Sequence, residues 1–364
     1  MKPLYIVGTQ RDIGKTTTAI GLLHAFGQRG LKAGYSKPLG QRIQSSKGFI
    51  LHDDARVVAA FLGQKECDQV GMAVPLPAGR VEKEVQHLDV QKLLQKVIDS
   101  YEALARANDV VILEAMGHVA MGSCLGLSAA DIARHLGAKA ILISGGGIGR
   151  AIDEISLCET FIRDRRAELT GVVMNKVWPE KYEKVRRATT RGLANLGIRC
   201  HGVIPFQAAL SSPTVQQVFE HVGGEVLGGA DGMHNRVHRT IVAAMEAEHM
   251  IDYIGERTLV ITPGDRSDNI LASLSAHVLS RDGGPAPSGI VLTGGIRPDR
   301  KVMKLISAMP VPVILVPDDT YAVAGKLRET IFKMTPEDRD RFDLAVGLVA
   351  KHVNVDGIVE ALSE

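Results

Sequence analysis

Gly14-Lys15-Thr16 closes a stretch that opens at Gly8-Thr9-Gln10-Arg11-Asp12-Ile13, directly after the apolar run Leu4-Tyr5-Ile6-Val7. The helix-like Thr17-Thr18-Ala19-Ile20-Gly21-Leu22-Leu23 follows. Strand, glycine loop and helix in that order are what a phosphate-binding loop requires. Glycines let the backbone wrap around phosphate oxygens, and the free N–H groups at the helix start point at the anion. Lys15 brings positive charge to the outer phosphates, and the Thr16 hydroxyl is placed to hold Mg²⁺. Thr9, Asp12, Gly14, Lys15, Thr16 and Thr17 are therefore the expected contacts of a nucleoside triphosphate.

Three further positions carry chemistry at strand ends. Lys37, in Gly34-Tyr35-Ser36-Lys37-Pro38, would face the phosphates across the strand-end crevice, or else be a solvated loop lysine. Glu114 finishes the buried-type run Val110-Val111-Ile112-Leu113, where a second magnesium contact belongs in this kind of fold. Asn175 ends Val172-Val173-Met174, and its amide could read the adenine edge; a simple turn residue is the alternative. A guanine pocket favours Asn-Lys-x-Asp, and Trp178 stands in the aspartate position, which points to ATP. Asp53 and Asp54 sit where acidic residues cap a helix start. Gly145-Gly146-Gly147-Ile148-Gly149 comes after the wrong strand for a dinucleotide fingerprint, and Ser128 with Asp131 reads as a capping box.

The loop from Gly8 to Thr16, with five residues between its glycines, and the Gly34–Pro38 segment resemble dethiobiotin synthetase. That resemblance implies that Lys37 contacts substrate and γ-phosphate beside Lys15, and that Asp54 binds magnesium. Thr16, Asp54 and Glu114 would then form a shell of hard oxygens. Farther on, Pro263-Gly264-Asp265-Arg266, Leu292-Thr293-Gly294-Gly295 and Asp319-Thr320-Tyr321 look like a DRTGG domain. Together the two parts resemble the non-catalytic N-terminal part of long bacterial phosphotransacetylases. One departure is Ala115-Met116-Gly117-His118 where dethiobiotin synthetase has a glycine-rich loop, which argues against the same diamino substrate.

The elements that must hold these residues alternate. Short β-rich runs at 4–7, 33–36, 110–113, 140–144, 170–174 and 201–204 are separated by helical stretches such as 90–107 and 182–196. This predicts an α/β fold: a P-loop NTPase parallel sheet with helices on both faces over residues 1–205. A smaller α/β DRTGG domain is expected over 206–325, with strands at 258–262, 289–292 and 313–316. The glycines at 223, 228 and 232 suggest a boundary or hinge, and 326–364 a helical tail opened by Thr335-Pro336-Glu337-Asp338. In the second domain the loops at Asp265, Arg266, Thr293, Gly294 and Gly295 would converge. They form either a small-ligand site with Arg266 as anion clamp or tight turns with a structural ion pair.

At 364 residues two domains are natural, and 45% hydrophobic residues supply ordinary cores. A net charge of +2 and 4% aromatic residues give no case for nucleic acid or an anionic membrane. Cys67, Cys124, Cys158 and Cys200 form no CxxC pair and are expected as free thiols in a reducing compartment. The chain enters a strand at once, so no signal peptide is expected, and no apolar run reaches the ~20 residues of a membrane span. A cytoplasmic homo-oligomer that binds ATP and Mg²⁺ is the expectation. With the chain ending at Glu364, the acetyltransferase domain is expected to be missing. Two functions stay open: a regulatory Mg-ATP-binding protein that is not an acetyltransferase and whose DRTGG domain senses a ligand, or an ATP-dependent ligase acting on a small carboxylate or amine.

Overall fold

The structure, a computed structural model, describes residues 1–41, 43–46, 49–63, 70–77, 79–279 and 287–364. Cys67 lies outside the described residues, and Cys124, Cys158 and Cys200 are free thiols. The chain forms two compact units, Met1–Gln207 with Met334–Glu364, and Ala208–Lys333. Among the described residues no helix is long and apolar enough to cross a membrane.

The first unit begins β1 (Leu4–Gly8), α1 (Lys15–Gln28), β2 (Ala33–Gly40), the hairpin β3 (Ile43–Ser46) and β4 (Phe49–His52), and α2 (Asp53–Phe61). It continues β5 (Val70–Pro75), α3 (Arg80–Gln86), α4 (Val90–Ala105), β6 (Val110–Glu114), α5 (Ala129–Leu136), β7 (Lys139–Gly145), α6 (Gly149–Asp164), β8 (Glu168–Val177), α7 (Tyr182–Asn195) and β9 (Cys200–Pro205). Seven of the described strands make one sheet in the order β5-β2-β6-β1-β7-β8-β9, every neighbouring pair parallel. All five positions of β1 and of β6 are buried, so these strands read as apolar runs because helices cover both faces. The capping box forms as Ser128 and Asp131 exchange bonds, and Gly137 ends the helix in the left-handed conformation.

The second unit holds α8 (Val215–Val222), β10 (Glu225–Gly228), β11 (Arg239–Val242), α9 (Ala247–Met250), β12 (Thr258–Pro263), α10 (Ser267–Leu279), β13 (Pro287–Thr293), α11 (Arg300–Ala308), β14 (Val313–Leu315) and α12 (Thr320–Glu329). Its sheet runs β10-β14-β13-β12-β11, with β10 antiparallel and the others parallel. Side chains of β12 alternate between two cores, Val260 against α10 and α11, Leu259 and Ile261 against α8 and α12.

Three sequence expectations need correcting. Residues 326–364 divide: the stretch to Lys333 stays with the second unit and Met334–Glu364 joins the first. There α13 (Arg339–His352) lies on α1, where a Cβ on Gly21 would stand 2.3 Å from Val349 Cγ2, and α14 (Val355–Ser363) follows. The helix starts at Arg339 and not at Pro336, because the Asp338 carboxylate turns back to accept from the Thr335 N–H at 2.8 Å. The glycine cluster is not the boundary, since 223–232 lies inside the second unit. A Cβ on Gly228 would meet the Ile306 carbonyl oxygen at 2.6 Å and one on Gly232 the Pro310 oxygen at 2.6 Å, so these two serve close backbone packing, while Gly223 has open space around it and φ 74°.

Candidate functional site

The loop between β1 and α1 is built on two left-handed residues, Asp12 at φ 52° and Gly14 at φ 97°. Gly14 has little choice, since a Cβ there would lie 2.1 Å from Asn175 Nδ2. Asn175, two residues before the end of β8, donates Nδ2 to the Ile13 carbonyl at 2.9 Å, and its Oδ1 accepts from the Lys176 N–H at 2.8 Å. Reading an adenine edge would require exchanging those bonds. Lys176 donates to the Asp12 carbonyl at 2.7 Å, and burial pulls its pKa below the ordinary lysine value against the opposing charge of Asp12. Lys15 is folded over the loop, donating to the Gly117 carbonyl at 2.8 Å and the Gln10 carbonyl at 3.2 Å. The Thr9 hydroxyl is buried with no hydrogen-bond partner among the described residues.

Beneath the loop lies a buried charge cluster. The Thr16 hydroxyl, at the start of α1, donates to Glu114 Oε1 at 3.0 Å. Lys37 reaches the same oxygen at 3.0 Å and pairs also with Asp54 at the start of α2. Tyr35 donates its hydroxyl to Glu114 Oε2 at 2.7 Å. His52 Nδ1 accepts from the Asp54 N–H at 3.0 Å, fixing the first turn of α2. Lys37 is only 3% exposed. Burial alone would lower its pKa, but Glu114 and then Asp54 outweigh it and hold the ammonium above the ordinary lysine value. Burial and then Glu114 push the Tyr35 phenol well up, so it is a hydroxyl donor.

Two carboxylates and a hydroxyl in one hydrogen-bonded set are the hard oxygens Mg²⁺ accepts, and phosphates and water can complete its octahedron. The residues fit the ion. Sequence analysis brought Lys15, Thr16, Lys37, Asp54, Glu114 and Asn175 to this place, but it missed Tyr35, His52, Gly117 and Lys176. Strand alternation could have found Tyr35, two residues before Lys37 on the same face of β2. Nothing local marks the Gly117 carbonyl. A cavity of about 450 Å³ bordered by Pro179, Tyr182, Pro205, Gln207 and one side of α13 includes none of these residues.

In the second unit the strand-end loops are laced together. Gly264 N–H donates to the Thr293 carbonyl, Gly294 N–H to the Asp318 carbonyl, and the Thr293 and Thr320 hydroxyls bond at 2.7 Å. Arg266 pairs with Asp268 at 2.8 Å and donates to the Met245 carbonyl. Asp265 and Gly295 stand in the same loops, Gly295 at φ 65°.

A family described as an AAA domain matches residues 2–214, and a DRTGG domain matches residues 217–330. The phosphate acetyltransferase of Pseudomonas putida is 27% identical over 366 residues, covering 97% of this chain and 51% of that protein. That of Nitratidesulfovibrio vulgaris is 26% identical, covering 96% of this chain and 50% of the relative. The chain thus spans about half the length of the curated relatives it matches. Among solved structures, the MinC:MinD cell division protein complex of Aquifex aeolicus is 14% identical, covering 58% of this chain and 84% of that one at a TM-score of 0.36. These relatives overturn the expected regulatory protein that is not an acetyltransferase, and with it the ATP-dependent ligase. Proteins that match 96–97% of this chain are named phosphate acetyltransferase. The rejected reading had leaned on the end at Glu364, which carries no such meaning.

Proposed function

The chain belongs to the AAA-domain family, and on that premise we propose a phosphate acetyltransferase function, transfer of an acetyl group to phosphate, with Mg-ATP held by the first unit. Near-complete coverage of this chain by phosphate acetyltransferases carries the first part of the reading. The buried Thr16–Glu114–Lys37–Asp54 cluster under the glycine loop carries the second.

In this reading the loop N–H groups and the Thr9 hydroxyl bind phosphate oxygens, with Asp12, Gly14 and Thr17 shaping the loop. Lys15 leaves the Gly117 carbonyl for the outer phosphates. Thr16, Glu114 and Asp54 would hold Mg²⁺, which would supply neutralisation of phosphate charge, and Lys37 balances the two carboxylates. Asn175 keeps the loop in its wrapped conformation. Of the two readings of the second unit, its geometry favours laced structural turns, since Arg266 already has a carboxylate and a carbonyl.

Two measurements test this. Cells lacking the gene for this protein should lose acetyl transfer from an acetyl thioester to phosphate in extracts; unchanged activity refutes the acetyltransferase part. Calorimetric titration of the purified protein should show saturable Mg-ATP binding, and its absence refutes the nucleotide part.

A further inference from the structure

We infer that Tyr35 is a positioning residue for Glu114, holding that carboxylate so that one chosen oxygen faces the magnesium side of the nucleotide site. The inference rests on the Mg-nucleotide reading above.

Strands β2 and β6 are parallel neighbours, with Tyr35 opposite Ile112 and Ser36 opposite Leu113. Alternation sends the side chains of Tyr35 and Lys37 to one face, and both reach the Glu114 carboxylate on the adjoining strand. They take different oxygens. Tyr35 donates to Oε2 at 2.7 Å, while Lys37 and Thr16 share Oε1, each at 3.0 Å. The last torsion of a glutamate is broad and roughly two-fold, so a carboxylate with uneven partners is not pinned by its own covalent geometry. Tyr35 is the one donor on Oε2 among the described residues, and it is fully buried. Water cannot readily substitute for it there. Its hydroxyl therefore selects which oxygen turns toward Thr16, the residue at the start of the nucleotide helix. Groups that orient a metal ligand in this way affect metal affinity about 10–100-fold when removed.

The test is ADP binding by calorimetry, with Mg²⁺ and with EDTA, in wild type and Tyr35→Phe. The substitution removes one oxygen and keeps the ring that the core packs on; near-UV circular dichroism checks that packing. The gain in affinity brought by Mg²⁺ should fall about tenfold, with metal-free ADP affinity unchanged. In a Glu114→Gln background the same substitution should leave the Mg²⁺ gain where it was, because the two residues act as one unit. An undiminished Mg²⁺ gain in Tyr35→Phe, or an equal loss with and without the metal, overturns the inference while leaving the nucleotide site intact. Wild-type protein that binds no ADP under either condition refutes the site reading itself, and this inference with it.

Discussion

Both units place glycine loops at the C-terminal ends of parallel strands, yet the two loop clusters differ in where their charges lie. In the first unit Lys15 is 6% and Lys37 3% exposed, and Glu114 and Asp54 are buried with them. In the second, the Arg266 side chain is about one-third exposed, and its carboxylate partner is two residues along the same chain. Gly264 is filled from the other side: a Cβ there would stand 1.8 Å from the Ile296 carbonyl oxygen. Glycine loops alone thus do not make the two clusters alike. What separates them is buried charge, which a protein carries out of water at a cost of several kcal/mol per ion.

The largest contrast should come from breaking the buried cluster. Lys37→Met leaves two carboxylates without their cation and should lower stability by ~3–5 kcal/mol in denaturant unfolding. Arg266→Met should stay within ~1 kcal/mol, being an exposed pair. Equal effects would end the distinction drawn between the two clusters.

Next in size is binding. Lys15→Ala should weaken Mg-ATP by ~1.5–3 kcal/mol, the worth of a charge-assisted bond, with the unfolding midpoint little changed. Retention of full affinity would show that the loop is not the phosphate site.

The glycines themselves sharpen the comparison. Gly14→Ala meets both φ 97° and the Asn175 amide, and should cost ~1–3 kcal/mol together with nucleotide affinity. Gly294→Ala has φ 81° but its nearest contact is 3.6 Å away, so only the backbone penalty of ~1–2 kcal/mol remains. Thermal unfolding of both, with and without Mg-ATP, separates the cases.

The smallest effect is electrostatic. The Arg266 guanidinium holds the Asp268 carboxyl down to about 2. A depressed carboxylate pKa adds stability that is present above the unfolded value near ~4 and lost as pH falls toward the folded value. In Arg266→Met, carboxyl NMR should show Asp268 titrating nearer the ordinary range. An unmoved titration would mean the pair has no strength in solution.

Much of the fold was legible because its signals are local. The apolar runs of β1, β6 and β7 announce strands covered on both faces, and Ser128 with Asp131 announces a helix start. The edge strands β5, β10 and β11 were not legible. Short and partly exposed, they carry neither a buried run nor clean alternation. Within the site, Thr16 and Glu114 could be placed by their positions at element ends, whereas Lys37, expected at a strand end, lies inside β2, which runs on to Gly40. The role of Asn175 could not be placed, because its bond to Ile13 spans 162 residues.

By itself the sequence determined the phosphate loop, the parallel strands that carry Lys37 and Glu114, and a second α/β unit bearing DRTGG-like turns. Each of these is encoded within a few residues, through periodicity, glycine or a cap. Only the tertiary structure decided that residues 334–364 return to brace α1, that Tyr35 takes one oxygen of Glu114, and that Arg266 is already paired. Those outcomes depend on which distant groups share a buried space. Burial drives most polar groups there to find a partner, whatever its separation along the chain.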